Sequence, residues 1–229
     1  MSRIVRAVLF DLDDTLFDHQ ACARAALQAV HAAHACFNCL PFDEFERQHA
    51  RFLEELHLAV LDGRLGIEAA GVAADEPLLQ ATAAAYRERY PMARRAIDGA
   101  ATLLPHVRQR ARVAIVSNNL LDEQQQKLRH CGLDAHIDAL VVSEEVGVSK
   151  PHPKIFEVAL DRVGVRADEA VMIGDSWSAD IAGALAVGIR PIWFNRHRQA
   201  RPDREAPVIE LYALEPVEPV LAAVFGDAA

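Results

Sequence analysis

An apolar run that stops at acids fixes how the amino-terminal part of this chain folds. Ile4-Val5-Arg6-Ala7-Val8-Leu9-Phe10 is short, apolar and partly β-branched with one charge, and Asp11-Leu12-Asp13-Asp14-Thr15 follows at once. A run of this kind reads as a strand of a parallel sheet, buried on both faces. The acids then stand at its carboxyl end, the edge of an open α/β sheet where ligands bind. Alternation along the extended chain puts Asp11 and Asp13 on one side and Leu12 on the other. Two carboxylates about 4 Å apart repel by roughly 4 kcal/mol at an effective dielectric of about 20, so a cation or a raised pKa has to answer them. Taken alone, Asp-Asp-Thr serves equally well as a polar turn with an N-cap for the next helix.

The text then changes twice. Gln20 to Ala35 is rich in Ala, Phe42 to Asp62 carries Phe45, Phe52, Leu56 and Ala59 at helical spacing, and Leu78 to Tyr90 is helical up to Pro91, with a turn at Asp62-Gly63. From Asp98-Gly99 onward, short apolar runs alternate with amphipathic segments: Arg112 to Ser117, Ala139 to Ser143, Ala170 to Gly174 and Arg190 to Phe194. Strands alternating with helices mean βαβ units and a parallel sheet. The expected fold is therefore α/β, with a Rossmann-like core over 1–16 and 93–229 and an all-helical insertion over 17–92. Val208 to Val224 adds an edge strand and a last helix, with Pro216 and Pro219 blurring the boundary.

Each later run also ends at chemistry. Val113-Ala114-Ile115-Val116 stops at Ser117-Asn118-Asn119, a hydroxyl and two amides suited to an oxyanion or, equally, to a turn. Lys150 stands before Pro151 and a helix that starts near Pro153. Ala170-Val171-Met172-Ile173 runs into Gly174-Asp175-Ser176, with Asp180 in the turn that opens the next helix. Four stations at the ends of four strands of one sheet converge in space. Together Asp11, Asp13, Asp175 and Asp180 with Lys150 and Ser117 make an oxygen-rich site that suits Mg²⁺ and a substrate phosphate.

Composition agrees with a small-molecule partner. The chain has 229 residues and a formal net charge of -9, which argues against a nucleic-acid polymer or an anionic membrane, since both demand a basic face. No apolar run approaches the roughly 20 residues of a membrane span, and Met1-Ser2-Arg3 leads straight into the first strand. With four cysteines and no secretory signal, a reduced cytoplasmic setting is the default.

These residues resemble the haloacid dehalogenase superfamily of phosphohydrolases over essentially the whole chain. Asp11-Leu12-Asp13-Asp14-Thr15 resembles its first motif, Ser117 its second, Lys150 its third, and Gly174-Asp175-Ser176 through Asp180 its fourth. The resemblance implies Asp11 as the nucleophile of an aspartyl-phosphate and Asp13 as the acid that protonates the leaving alkoxide and then activates water. It implies Mg²⁺ held by Asp11, Asp175 and the Asp13 backbone carbonyl. Thr15, Ser117, Asn118 and Lys150 would bind the phosphate, with Ser176 and Asp180 in support, and the helical insertion would be a cap of the C1 type. Asp13 favours phosphate esters over halides, because halide needs no protonation. Ser143 to Phe156 and Trp193-Phe194-Asn195-Arg196-His197 resemble the nucleotidase-type and related small-metabolite phosphatases of the group, so the resemblance implies a small phosphorylated metabolite, with a nucleoside monophosphate as the first candidate to test. A sugar phosphomutase and a non-catalytic metabolite-binding protein are the alternatives.

Two signals are set aside. His31, His34, Cys36 and Cys39 lie close together, but no second Cys pair follows, and the grouping reads as accidental proximity. Arg47, Arg51, Arg87, Arg94 and Arg95 read mostly as a solvated helical face.

Overall fold

The computed structural model describes residues 4–61 and 76–226. The chain divides into two compact units, Met1–His19 with Arg94–Ala229, and Gln20–Ala93.

The first unit is built on a six-stranded sheet of order β3-β2-β1-β4-β5-β6. Its strands are β1 (Ala7–Phe10), β2 (Arg112–Ser117), β3 (Ala139–Val142), β4 (Ala170–Gly174), β5 (Arg190–Phe194) and β6 (Ile209–Leu211). Every neighbouring pair is parallel, so all six carboxyl ends lie along one rim. β1 sits between β2 and β4, in register Leu9 with Ala114 and with Met172, which sets the acids after Phe10 beside the ends of both neighbours. The first strand is shorter than its apolar run: pairing starts at Ala7, and Ile4 is exposed.

Helices fill the crossovers, α4 (Ala100–Arg108), α5 (Leu121–His130), the single turn α6 (Ser143–Val146), α7 (Pro153–Val163) and α8 (Ala182–Ala186), and α9 (Val217–Phe225) follows the last strand. α7 shows why they form. His152 caps its start by accepting from the Lys154 N–H, Pro153 opens the first turn, and Gly164 closes it in the left-handed conformation at φ 67°. Its buried stripe of Ile155, Phe156, Ala159, Leu160 and Val163 packs on Leu9, Val116 and Met172 of the sheet. Burying each of the larger side chains contributes roughly 1.5–3 kcal/mol.

The second unit is helical. α1 (His19–Ala33), α2 (Phe42–Leu61) and α3 (Glu76–Met92) are its elements, and α3 keeps Pro91 within its last turn. The turn expected at Asp62-Gly63 lies outside the described residues, as do the side chains of Phe52, Leu56 and Ala59. α1 buries Cys22, Ala26, Leu27 and Val30. His31 bonds the Leu40 carbonyl at 2.8 Å and packs on the rings of Phe42 and Phe45. Cys36 and Cys39 are exposed thiols, and among the described residues His31, His34, Cys36 and Cys39 form no metal cluster.

Within the first unit, the segments on either side of the helical insertion pair as a neck. Ile97 N–H donates to Leu16 O at 2.9 Å, Asp18 N–H to Arg95 O at 3.1 Å, and Phe17 bridges Ala96. Arg95 closes on Asp18 with two hydrogen bonds of 2.9 and 2.6 Å, and Arg196 pairs with Asp18 and Asp14 at 3.0 Å each. No described helix is long and apolar enough to cross a membrane.

Candidate active site

The rim of the sheet gathers the four stations. One carboxylate oxygen from each of Asp11, Asp175 and Asp180 lies within 4.8 Å of the others. Asp11 is fixed by its place after β1, where its N–H donates to Ile173 O of β4 at 2.9 Å. Asp175 follows β4. Its carbonyl accepts from the Trp193 indole at 2.7 Å, and its carboxylate accepts from the buried Thr15 hydroxyl at 3.4 Å.

Asp180 arrives by a different route. Residues Trp177–Ile181 wind as a single π turn, capped by the Ser176 hydroxyl, and fold Asp180 back onto the strand end. Its carboxylate there accepts the Ser176 N–H at 3.0 Å. A Cβ on Gly174 would stand 2.6 Å from the Asp180 Cβ, so only glycine leaves room for the acid at this point.

Lys150 is buried in the middle. Its ammonium reaches Asp11 at 2.5 Å, Asp180 at 2.7 Å and the Val116 carbonyl at 2.7 Å. Burial would lower its pKa, but the two carboxylates outweigh burial and push it up. Asn118 holds the loop that carries it: the Asn118 side chain accepts from Lys150 N–H at 2.6 Å and donates to Lys150 O at 3.0 Å.

The carboxylates respond to the crowding. Burial raises the Asp11 pKa well above the ordinary value, Lys150 opposes it, and the charges of Asp180 and Asp175 add to the rise. Burial also pushes Asp175 up to about 7, with Asp180 and Asp14 as further causes. The donor set itself, one hard carboxylate oxygen from each of Asp11, Asp175 and Asp180, fits Mg²⁺.

Asp13 is held apart from that cluster, by donors from α5 and the loop before it. Lys127 donates to its Oδ1 at 2.6 Å, while Gln124 and Asn119 donate to Oδ2 at 2.8 and 3.2 Å. Burial works to raise the Asp13 pKa, but Lys127 and the bonds from Lys127 and Gln124 overcome it and hold the carboxyl below its usual range. Gln124 also donates to the buried Ser117 hydroxyl at 2.6 Å.

A family model of haloacid dehalogenase-like hydrolases matches residues 5–188. The chain belongs to this family. This hydrolase is 32% identical over 225 residues to the glyceraldehyde 3-phosphate phosphatase of Methanopyrus kandleri, covering 91% of this chain and 93% of that protein. It is 36% identical over 126 residues to the pyrimidine 5'-nucleotidase YjjG of Escherichia coli, a match that spans 55% of this chain and 56% of that protein. Its fold is close to the HAD-hydrolase YfnB of Bacillus subtilis, solved bound to magnesium. The TM-score is 0.77 at 27% identity, with 95% of this chain and 99% of that chain covered.

Gln124 and Lys127 of the hydrolase escape a reading of its sequence, because Leu121-Asp122-Glu123-Gln124-Gln125-Gln126-Lys127-Leu128 is polar nearly throughout. Their signal is positional: with Leu128 they are the buried residues of α5, where an amphipathic helix would place apolar side chains. Arg94 departs from the solvated face expected of it. Its side chain is only 7% exposed and pairs with Glu123 at 2.9 Å, at the foot of the same helix.

Proposed function

We propose that this hydrolase is a Mg²⁺-dependent phosphomonoesterase that works through an aspartyl-phosphate on Asp11. The observation that carries the reading is the division of labour at the end of β1. Asp11 lies with Asp175 and Asp180 around Lys150, while Asp13, two residues on, is held separately by α5. Two carboxylates held by separate sets of partners can take separate roles, nucleophile and acid–base group.

In the first half-reaction an Asp11 oxygen attacks phosphorus, the ester P–O bond breaks, and the leaving alkoxide takes a proton from Asp13. In the second, Asp13 accepts a proton from water as the water oxygen attacks phosphorus, which releases inorganic phosphate and restores Asp11. Lys150 and the Ser117 hydroxyl hold the phosphate oxygens, with Thr15 and the Asn118 loop in the same set. Asn118 also fixes Lys150, and Ser176 and Asp180 fix the turn that presents Asp175. Asp11, Asp175 and the Asp13 carbonyl would hold Mg²⁺, which supplies charge to the transferring phosphoryl group. We read the helical unit as the family's cap, which selects the leaving group.

The substrate is a small phosphorylated metabolite. Identity to a pyrimidine nucleotidase and to a glyceraldehyde 3-phosphate phosphatase puts nucleoside monophosphates and triose phosphates at the head of a test panel. Phosphate release from that panel is expected to need Mg²⁺ and to fall by about four orders of magnitude or more in Asp11→Asn. Release that survives the substitution would remove the covalent mechanism.

A further inference from the structure

We propose that Lys127 and Gln124 of α5 are positioning residues for Asp13, aiming one lone pair of its carboxylate at the proton that the reaction moves. The inference rests on the phosphomonoesterase reading and adds to it two residues that none of the family motifs contains.

An ionised carboxylate offers roughly four acceptor sites. On Asp13, Lys127 takes one on Oδ1, and Gln124 and Asn119 take two on Oδ2. One acceptor site on Oδ1 is then left among the described residues, in a direction set by the other three bonds. A carboxylate held this way cannot turn about its own axis without breaking a charge-assisted bond.

The holders are themselves fixed. Lys127 is 1% exposed, lies 5.0 Å from the centre of the Phe17 ring, and has Glu123 at 3.9 Å as its second acid. Gln124 is fully buried, and its orientation follows from its partner: a carboxylate only accepts, so the amide nitrogen has to face Asp13. The same nitrogen spends its other hydrogen on Ser117 Oγ. Ser117 therefore accepts from Gln124, and its own hydroxyl hydrogen is free to donate to a phosphate oxygen. One amide thus sets the direction of two groups that face the substrate from different strand ends.

Leaving-group chemistry isolates this role. p-Nitrophenolate departs unaided, whereas an alkoxide needs the proton of Asp13, so the alkyl-to-aryl ratio of kcat/KM measures the acid step alone. For glycerol phosphate against p-nitrophenyl phosphate, Asp13→Asn is expected to lower the ratio by about 100-fold, in the range typical of general acids. Lys127→Met is expected to lower it by about 10-fold or more, with part of the loss restored in Lys127→Arg. Gln124→Met is expected to lower it by a smaller factor, and it carries the test if Lys127→Met does not fold. In an Asp13→Asn background neither substitution should move the ratio again, a coupling that a merely structural role would not show.

A ratio that Asp13→Asn lowers, but that Lys127→Met and Gln124→Met leave at or above the wild-type value, would overturn the positioning role alone. If the wild type hydrolyses neither ester, or if Asp13→Asn leaves the ratio untouched, the phosphomonoesterase reading fails and takes this one with it.

Discussion

Asp11 and Asp13 leave the same strand two residues apart, yet their surroundings drive them in opposite directions. Burial and the neighbouring charges of Asp180 and Asp175 raise the pKa of Asp11 against the pull of Lys150, while Lys127 and Gln124 hold that of Asp13 down. The difference comes from what each neighbouring element contributes. β4 and the turn after it bring two more acids to Asp11, and α5 brings only donors to Asp13. Sequence proximity therefore says little about protonation, which is set by the partners that distant segments supply.

The strongest way to break this contrast is to damage the Asp11 half alone. Gly174→Ala would force Asp180, and with it Lys150, out of place. Misplacement by about 1 Å costs on the order of 100-fold in rate. The loss should be equal for aryl and alkyl esters, unlike the selective loss expected at Lys127. An unequal loss would show that the two halves are not separable.

Proton linkage sharpens the contrast further. Asp175 has a folded pKa of about 7 against an ordinary value of 3.8. Between those values the native protein keeps a proton that the unfolded chain has lost, so stability falls as pH rises through that window by up to about 1.4 kcal/mol per pH unit. Asp13 has the opposite sign: its contribution is present above its unfolded pKa and is lost only in acid, as pH falls through its lowered folded value. Across pH 5 to 8 the Asp11 half should dominate. Thermal melts in chelator should show Tm falling over that range, and Mg²⁺ should raise Tm more at pH 8 than at pH 5, since binding must displace protons at the lower pH. An equal rise at both pH values would refute the assignment of these acids as the ion's ligands.

The smallest expected effect lies at the foot of α5. Arg94→Ala removes a mostly buried partner of Glu123 and should lower stability by about 1 kcal/mol, or roughly 2–4 °C in Tm. A shift many times larger would mean that the Asp13 half depends on this pair for its fold.

Much of this was legible in the sequence. The runs at Arg112 to Ser117, Ala170 to Gly174 and Arg190 to Phe194 coincide with strands, because a strand buried on both faces leaves an unbroken apolar signature. Asp11, Asp175, Asp180 and Lys150 were legible as stations because each interrupts or follows such a run. Lys127 and Gln124 were not. A polar helix surface resembles solvent-facing text, and what distinguishes these two side chains is a contact with residue 13, more than a hundred positions away. Asn118 was readable as a polar group at a strand end, while its engagement with the Lys150 peptide depends on a loop meeting that no local pattern encodes.

The paired neck carries a consequence of its own. Leu16 to Asp18 and Arg95 to Ile97 run side by side and are stitched by backbone hydrogen bonds and by Arg95 on Asp18, all within the sheet-bearing unit. The two points where the helical segment is spliced in are thus held together by bonds that belong to the sheet-bearing unit alone. Such a junction works as a socket: the intervening text can lengthen, shorten or be replaced while the strands below keep their alignment.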